Sequence, residues 1–304
     1  MKIIDKIKNS TFFKRKIRAI SFKAMELKFR ILPKKSLVDR DAEYDHELIV
    51  SLTSYPARFE TLPITLKTIM YQTMKPNRIV LFLDENVERK NIPDSLLELE
   101  RYGLEIMNRP YNLRCHKKYL HAISENPEAD VITIDDDVMY NKHTIEELYH
   151  THLNNPGVIC AKRVHRILLN EKGELLPYEE WDLLCNSVRK PSNMLLLTGV
   201  GGVLYPPHCL SKDTLNPEEI YRLCNNQDDI WLLNRGVVDG IKVVWAETKY
   251  VDPPTIPKSQ NVGLYKSNVN QNDNDNYMKI LMNEFGINWN AIKQEEIKQG
   301  IQRD

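Results

Sequence analysis

The 304 residues suffice for one large domain or two modest ones with a sizeable core. Lys+Arg and Asp+Glu balance at 42 each, so no global field points to a nucleic-acid partner. Five scattered cysteines without Cys-x-x-Cys spacing fit reduced cytosolic thiols and supply no zinc site. No stretch approaches the roughly 18 apolar residues of a membrane span. The N-terminus also lacks the apolar core and small-residue cleavage site of a signal peptide.

The charge is nonetheless uneven. Residues 1–40 hold 13 Lys/Arg against three acidic residues. Within them Ile17, Ile20, Ala24, Leu27 and Ile31 recur at helical spacing, with Lys14, Lys16, Arg18, Lys23, Lys28 and Arg30 mostly around the other side. Phe12, Phe13, Phe22 and Phe29 add aromatic bulk. The pattern predicts a basic amphipathic helix ending before Pro33. It would lie on an anionic membrane surface, or else pack on the domain with a solvated basic face. Residues 33–45 read as a linker.

Residues 47–52 (ELIVSL) read as the first core strand, followed by the loop Thr53-Ser54-Tyr55-Pro56-Ala57-Arg58. A helix over 60–72 carries Leu66, Ile69 and Met70 on one face. Residues 78–83 form a second strand ending at Asp84, a helix over 93–102 leads to a third strand at 104–107, and another helix spans 117–125. Strands alternating with helical segments predict a mostly parallel α/β sheet. The fourth strand, Val131-Ile132-Thr133-Ile134, runs into Asp135-Asp136-Asp137. Strand ends are where open α/β sheets bind ligands, and three adjacent carboxylates call for solvation or a cation. A hard divalent ion, Mg²⁺ or Mn²⁺, suits oxygen ligands; an acidic loop capping the helix at 142–153 is the other reading.

Past a polar, irregular stretch to Lys190 comes the apolar run 195–207, broken by Gly199, Gly201 and Gly202. It has neither GxxxxGK nor GxGxxG spacing, so it is not a phosphate loop. Asn225-Asn226-Gln227-Asp228-Asp229-Ile230-Trp231 opens a helix with two carboxylates in its first turn. Residues 241–245 read as an edge strand, and 277–285 and 289–299 as C-terminal helices. No internal repeat or low-complexity segment is present.

The Thr-Ser-Tyr-Pro loop after an early strand, the Asp-Asp-Asp strand end, Thr198-Gly199-Val200-Gly201-Gly202 and Asp228-Asp229-Ile230-Trp231-Leu232 occur in the order that resembles the GT-A nucleotide-sugar glycosyltransferases, notably bacterial enzymes of capsule and O-antigen synthesis. The resemblance covers roughly residues 46–275. It implies a GT-A (Rossmann-like) domain at 46–255, preceded by the basic helix and linker (1–45) and followed by a helical extension (256–304). By the same resemblance Asp135 and Asp137 would hold Mn²⁺ or Mg²⁺ on the donor diphosphate, with Asp136 between them. Thr53, Tyr55, Arg58 and Asp84 would face the nucleoside and phosphates. Lys117 and Lys118, at a helix start, would form an anion site, an ordinary solvated helix start being the other reading. Asp229 would be the catalytic base beside Asp228, with N-terminal helix capping the alternative role for this pair.

Two departures stand out. No histidine follows His208, so water, Asn272 or Asp273 would complete a metal shell. The Gln-x-x-Arg-Trp motif of processive synthases is missing, which implies transfer of one sugar per encounter.

The resulting expectation is metal-dependent, inverting transfer of one sugar from a UDP-linked donor to a carbohydrate or lipid-linked acceptor, by a cytoplasmic protein peripheral to the membrane. A non-catalytic, membrane-docked nucleotide-sugar or carbohydrate-binding protein of the same fold is the rival. An aspartyl phosphotransferase fits poorly, because Val138-Met139-Tyr140 replaces the small, flexible residues that chemistry needs.

Overall fold

The structure, a computed structural model, describes residues 20–246, 253–256 and 273–302. Its centre is a seven-stranded sheet in the order β3-β2-β1-β4-β8-β5-β9. The strands are β1 (Leu48–Thr53), β2 (Arg78–Asp84), β3 (Leu104–Arg109), β4 (Asp130–Thr133), β5 (Ile159–Ala161), β8 (Val203–Tyr205) and β9 (Val243–Trp245). β1, β2, β3 and β4 are mutually parallel, β8 runs antiparallel between β4 and β5, and β9 is the edge strand parallel to β5. β6 (Val164–Arg166) and β7 (Leu195–Leu197) form a separate antiparallel pair. The fold is therefore mixed α/β with a mostly parallel sheet.

Strand alternation divides the core in two. Leu48, Val50 and Leu52 of β1 point to one face, against Leu62, Leu66 and Ile69 of α2 (Leu62–Ile69) and Ile145 and Leu148 of α5 (Thr144–Asn154). Ile49 points to the other, with Tyr119 and Ile123 of α4 (Lys117–Glu125) and Ile230 and Trp231 of α7 (Asp228–Asp239). Helices on both faces explain why these strands read as continuous apolar runs rather than alternating ones.

The helix expected over 93–102 is instead α3 (Asp94–Leu97) followed by 3-10 turns at Glu98–Tyr102. Buried Leu96 and Leu99 stand three residues apart, a spacing that 3-10 geometry aligns. Residues 33–45 lie along the domain rather than apart from it. Leu37 is fully buried and its N–H donates to the Tyr102 carbonyl at 2.8 Å, while Asp39 N–H donates to Pro76 O at 2.9 Å.

The predicted basic helix is present as α1 (residues 20–31); Phe12, Phe13 and Ile17 lie outside the described residues. It packs through Phe22, Met25 and Phe29, whereas Ile20, Leu27 and Ile31 of the expected apolar stripe are exposed.

After α6 (Pro217–Leu223), α7 and β9, the C-terminal helices α8 (Asp273–Phe285) and α9 (Trp289–Lys298) are fastened to the domain. The Trp231 and Phe285 rings meet edge-to-face at 6.0 Å. The buried Glu296 carboxylate accepts from Ser192 Oγ at 2.7 Å, Asn193 N–H at 2.6 Å and Gln302 Nε2 at 2.7 Å. Removing the carboxylate leaves three donors without a partner, each costing about 1 kcal/mol or more. Glu296→Ala should therefore lower unfolding free energy by about 3 kcal/mol, measured by urea denaturation, and a change under 1 kcal/mol would contradict this fastening role.

Candidate active site

Register decides what meets at the sheet edge. Because β1, β2 and β4 are parallel and aligned (Val50 opposite both Ile79 and Ile132), they release the loops after Thr53, Asp84 and Thr133 on the same side. β8 is antiparallel, so the residues that precede it, the Gly199–Gly202 turn, arrive at that same edge. Gly202 has φ +94° there, a conformation that favours glycine. Ser51 Oγ donates to the Lys118 carbonyl at 2.5 Å, tying the start of α4 to β1. His116 ties the same helix start to the approach of α7 through Cys224 O at 2.8 Å, its other ring nitrogen meeting Tyr119 Oη of α4 at 2.9 Å.

The product is one cleft of about 950 Å³. Thr53, Tyr55, Arg58 and Asp84 line it, as do Lys117 and Lys118, Asp135, Asp136 and Asp137, and Asp228 and Asp229. These eleven residues singled out from the sequence thus border a common space. Their local partners differ. The Thr53 hydroxyl is used within the sheet, donating to Phe82 O at 2.8 Å. The Tyr55 ring lies beside the Arg58 guanidinium at 5.5 Å.

Two cations hold most of the acidic groups. Arg58 pairs with Asp136 and, at 3.2 Å, with Asp137, while Ser54 Oγ donates to Asp136 at 2.6 Å. Lys118 Nζ bridges Asp135 at 2.8 Å and Asp228 at 3.0 Å. Lys117 pairs with Asp84. Burial opposes the Lys118 charge, but Asp135, Asp228 and Asp229 together keep its pKa well above the ordinary lysine value. A Cβ on Gly199 would stand 2.5 Å from Lys118 Nζ, so a glycine there leaves room for the ammonium.

The adjacent carboxylates of α7 are driven apart. Asp228 is buried, which alone would raise its pKa, yet Lys118 and neighbouring donors hold it below the ordinary value. Asp229 is raised well above that value by burial and by the Asp228 charge, and accepts a hydrogen bond from Gly199 N–H at 3.2 Å. The helix makes no side-chain N-cap hydrogen bond. Asp229 is bonded outward, to the glycine turn.

Asp135 and Asp137 are the residues that would hold Mn²⁺ or Mg²⁺. Both line the cleft, and no group of three metal-ligating side chains occurs among the described residues. Two carboxylates suit an ion that takes its other ligands from substrate phosphates and water. Among the described residues the lining holds seven Asp/Glu against five Lys/Arg, an acidic excess that a divalent cation would offset. The residues present fit such an ion, with Lys118 already on one oxygen of Asp135 and Arg58 on one of Asp137. Asn272 lies outside the described residues, and Asn274 rather than Asp273 lines the cleft.

The cleft is also lined by Arg163, His165, Tyr178, Glu179 and Asn274, which no sequence motif marks. Four of these lie in the polar stretch before Lys190, whose long-range pairing with β7 leaves no periodic signal. The Tyr178-Glu179-Glu180-Trp181 cluster was the available cue.

No protein-family model matches the chain, and no curated protein matches it. Among solved structures, similarity extends to a CMP:2-keto-3-deoxy-manno-octonic acid synthetase complexed with CTP (10% identity, 74% of this chain and 99% of that one, TM-score 0.42). A mannosyltransferase from Pyrobaculum calidifontis in complex with GDP-Man and Mn²⁺ shares 12% identity over 75% of this chain and 61% of that one, TM-score 0.40. A 4-diphosphocytidyl-2C-methyl-D-erythritol synthase from Anaerococcus prevotii shares 13% over 73% and 99%, TM-score 0.44. All three fall below 0.5, so the fold class rests on the sheet order and register described above.

Two predictions follow from these charges. Removing one partner of a buried ion pair costs about 3–5 kcal/mol, so Lys118→Met should destabilise by that order in urea titrations at pH 7. Unchanged stability would contradict the bridging role. Burial lowers the His116 pKa to about 4 from an ordinary 6.5. The unfolded chain then binds its proton first as pH falls, so this group's contribution to stability is lost progressively between about pH 6.5 and 4, by about 3 kcal/mol in full. His116→Asn should be less stable at pH 7 yet show a shallower loss over that window; parallel pH profiles would count against it.

Proposed function

We propose that this protein is a glycosyltransferase of GT-A type that moves one sugar from a nucleotide-sugar donor, UDP-linked in the first instance, to a carbohydrate or lipid-linked acceptor in surface polysaccharide synthesis. The observation that carries this reading is the convergence of the Asp135–Asp137 strand end, the lysine-bearing start of α4 and the Asp228–Asp229 pair in one cleft. A volume of about 950 Å³ is also within the range of small-molecule sites.

In this reading Asp135 and Asp137 hold Mn²⁺ or Mg²⁺, which when bound supplies positive charge for the leaving diphosphate. Arg58, Lys117 and Lys118 line the same cleft and orient the phosphates by charge-assisted hydrogen bonds. Tyr55 and Thr53 shape the nucleoside end, and Asp84 positions Lys117. Asp229 takes the proton from the acceptor hydroxyl as that oxygen attacks the anomeric carbon. Its raised pKa makes it the stronger base of the α7 pair, while Asp228 stays ionised against Lys118. Attack assisted by a base from the face opposite the diphosphate inverts the anomeric configuration. The exposed basic side of α1 supports an anionic membrane surface as the place of work; no helix among the described residues is long and apolar enough to cross a membrane.

A screen of nucleotide sugars for metal-dependent hydrolysis and thermal stabilisation tests the assignment. A ligand at 100 times its Kd should stabilise the fold by about 2.7 kcal/mol. Chelation should abolish turnover, and Mn²⁺ or Mg²⁺ should restore it; full activity in excess chelator would remove the metal. Asp229→Asn should fold and bind donor normally but transfer sugar at least about a hundredfold more slowly. Retention of configuration at the product's anomeric proton by NMR would remove Asp229 from the base role. Stabilisation by a nucleotide sugar with no turnover under any condition would favour a binding protein.

A further inference from the structure

α1 is apolar on two opposite sides. At about 100° per residue, Phe22, Met25 and Phe29 share one side, and Ile20, Leu27 and Ile31 share the other. The first side packs on buried Ile64, Met139 and Ile256. The second is exposed, at 68%, 59% and 75% for Ile20, Leu27 and Ile31. Lys23 and Arg30 border that stripe on one flank and Lys28 on the other, all exposed. Three large aliphatic side chains between cations, in a segment with 13 Lys/Arg against three acidic residues, complement an anionic lipid surface.

The inner side reaches the candidate site. Met139 N–H donates to Pro254 O and Ile256 N–H donates to the Asp137 carbonyl, both at 2.8 Å, so residues 253–256 lie as a short strap on the aspartate loop. Val138 and Thr255 form an antiparallel bridge between them, and Pro253 and Thr255 line the cleft beside Asp137. Ile64 adjoins Thr65 of α2, whose hydroxyl donates to the Asp136 carbonyl at 3.0 Å. Of the residues beneath α1, Ile256 thus bonds the Asp137 backbone directly, Ile64 precedes the Thr65 that bonds the Asp136 backbone, and Met139 joins the aspartate loop to the strap.

We propose that α1 couples the two: its outer stripe docks on an anionic bilayer, and its inner side clamps the 253–256 strap against the Asp135–Asp137 loop, so that docking orders the wall of the nucleotide-sugar site. This deepens the glycosyltransferase reading and rests on it for the consequence to donor binding. The clamp itself is legible without it. A bound surface restrains α1, and a restrained α1 keeps Met139 and Ile256 covered; by linkage, any donor that needs the ordered loop binds more tightly on vesicles.

The test uses the full-length protein with phosphatidylcholine vesicles, with and without phosphatidylglycerol, at low salt. It reads sedimentation and amide hydrogen exchange at Met139 and Ile256. Wild type should sediment with the anionic vesicles only, and exchange at both amides should slow at least threefold there. The triple variant I20S/L27S/I31S should lose at least tenfold in vesicle affinity while keeping wild-type exchange in solution. F22A/F29A should exchange faster at both amides with or without vesicles. Wild-type sedimentation by the outer variant, an outer variant that instead dissociates a dimer, or unchanged exchange in the inner variant each overturns the proposal. UDP-sugar binding is measured in parallel, with affinity expected to rise at least threefold on anionic vesicles. If no nucleotide sugar binds at all, the functional reading fails while sedimentation and exchange still judge the clamp.

Discussion

The structure around the cleft depends on neutralising carboxylates that the fold places side by side at the end of a buried strand. Moving ions out of water costs several kcal/mol each, and only close opposite charge with further hydrogen bonds offsets it. Lys118 lies among Asp135, Asp228 and Asp229, and Arg58 between Asp136 and Asp137. Each cation comes from a different part of the chain than the acids it meets. The pairing therefore exists only when α4, β4 and α7 are all in place, and it ties together segments more than 100 residues apart.

This arrangement has a chemical consequence. One ammonium serving three carboxylates does not serve them equally. Asp228, in direct contact, is kept ionised, whereas burial and the repulsion of its neighbour raise Asp229 against the opposing Gly199 N–H. Two identical residues, adjacent in sequence, thereby acquire different proton affinities, the condition for dividing structural and proton-accepting roles between them. Gly199 takes part twice: its missing side chain leaves space for Lys118, and its N–H reaches Asp229.

The cleft wall is also connected outward. The aspartate loop rests on α2 through Thr65 and on the 253–256 strap, and both carry residues packed beneath α1. A helix that sequence periodicity identifies by its outward-facing stripe thus has its second set of apolar residues turned toward the site. Burial of Phe22, Met25 and Phe29 against Ile64, Met139 and Ile256 is partial, which leaves α1 less tightly held than the core helices.

The sequence by itself determined the alternation of strands and helices, because apolar runs of strand length separated by amphipathic segments have few other solutions in water. It also marked the acidic strand end, the Lys117-Lys118 helix start and the Asp228-Asp229 pair, since clustered like charges stand out locally. It did not determine which cation meets which acid. Lys118 could have faced solvent; the Ser51 hydroxyl on its carbonyl and the antiparallel course of β8 put it between Asp135 and Asp228. Nor did helical spacing reveal which side of α1 is covered, because Ile20, Leu27 and Ile31 form as regular a stripe as Phe22, Met25 and Phe29. The cleft lining from Arg163 to Glu179 and the packing of residues 33–45 were likewise decided by tertiary structure, since contacts between distant, aperiodic segments leave no spacing to read.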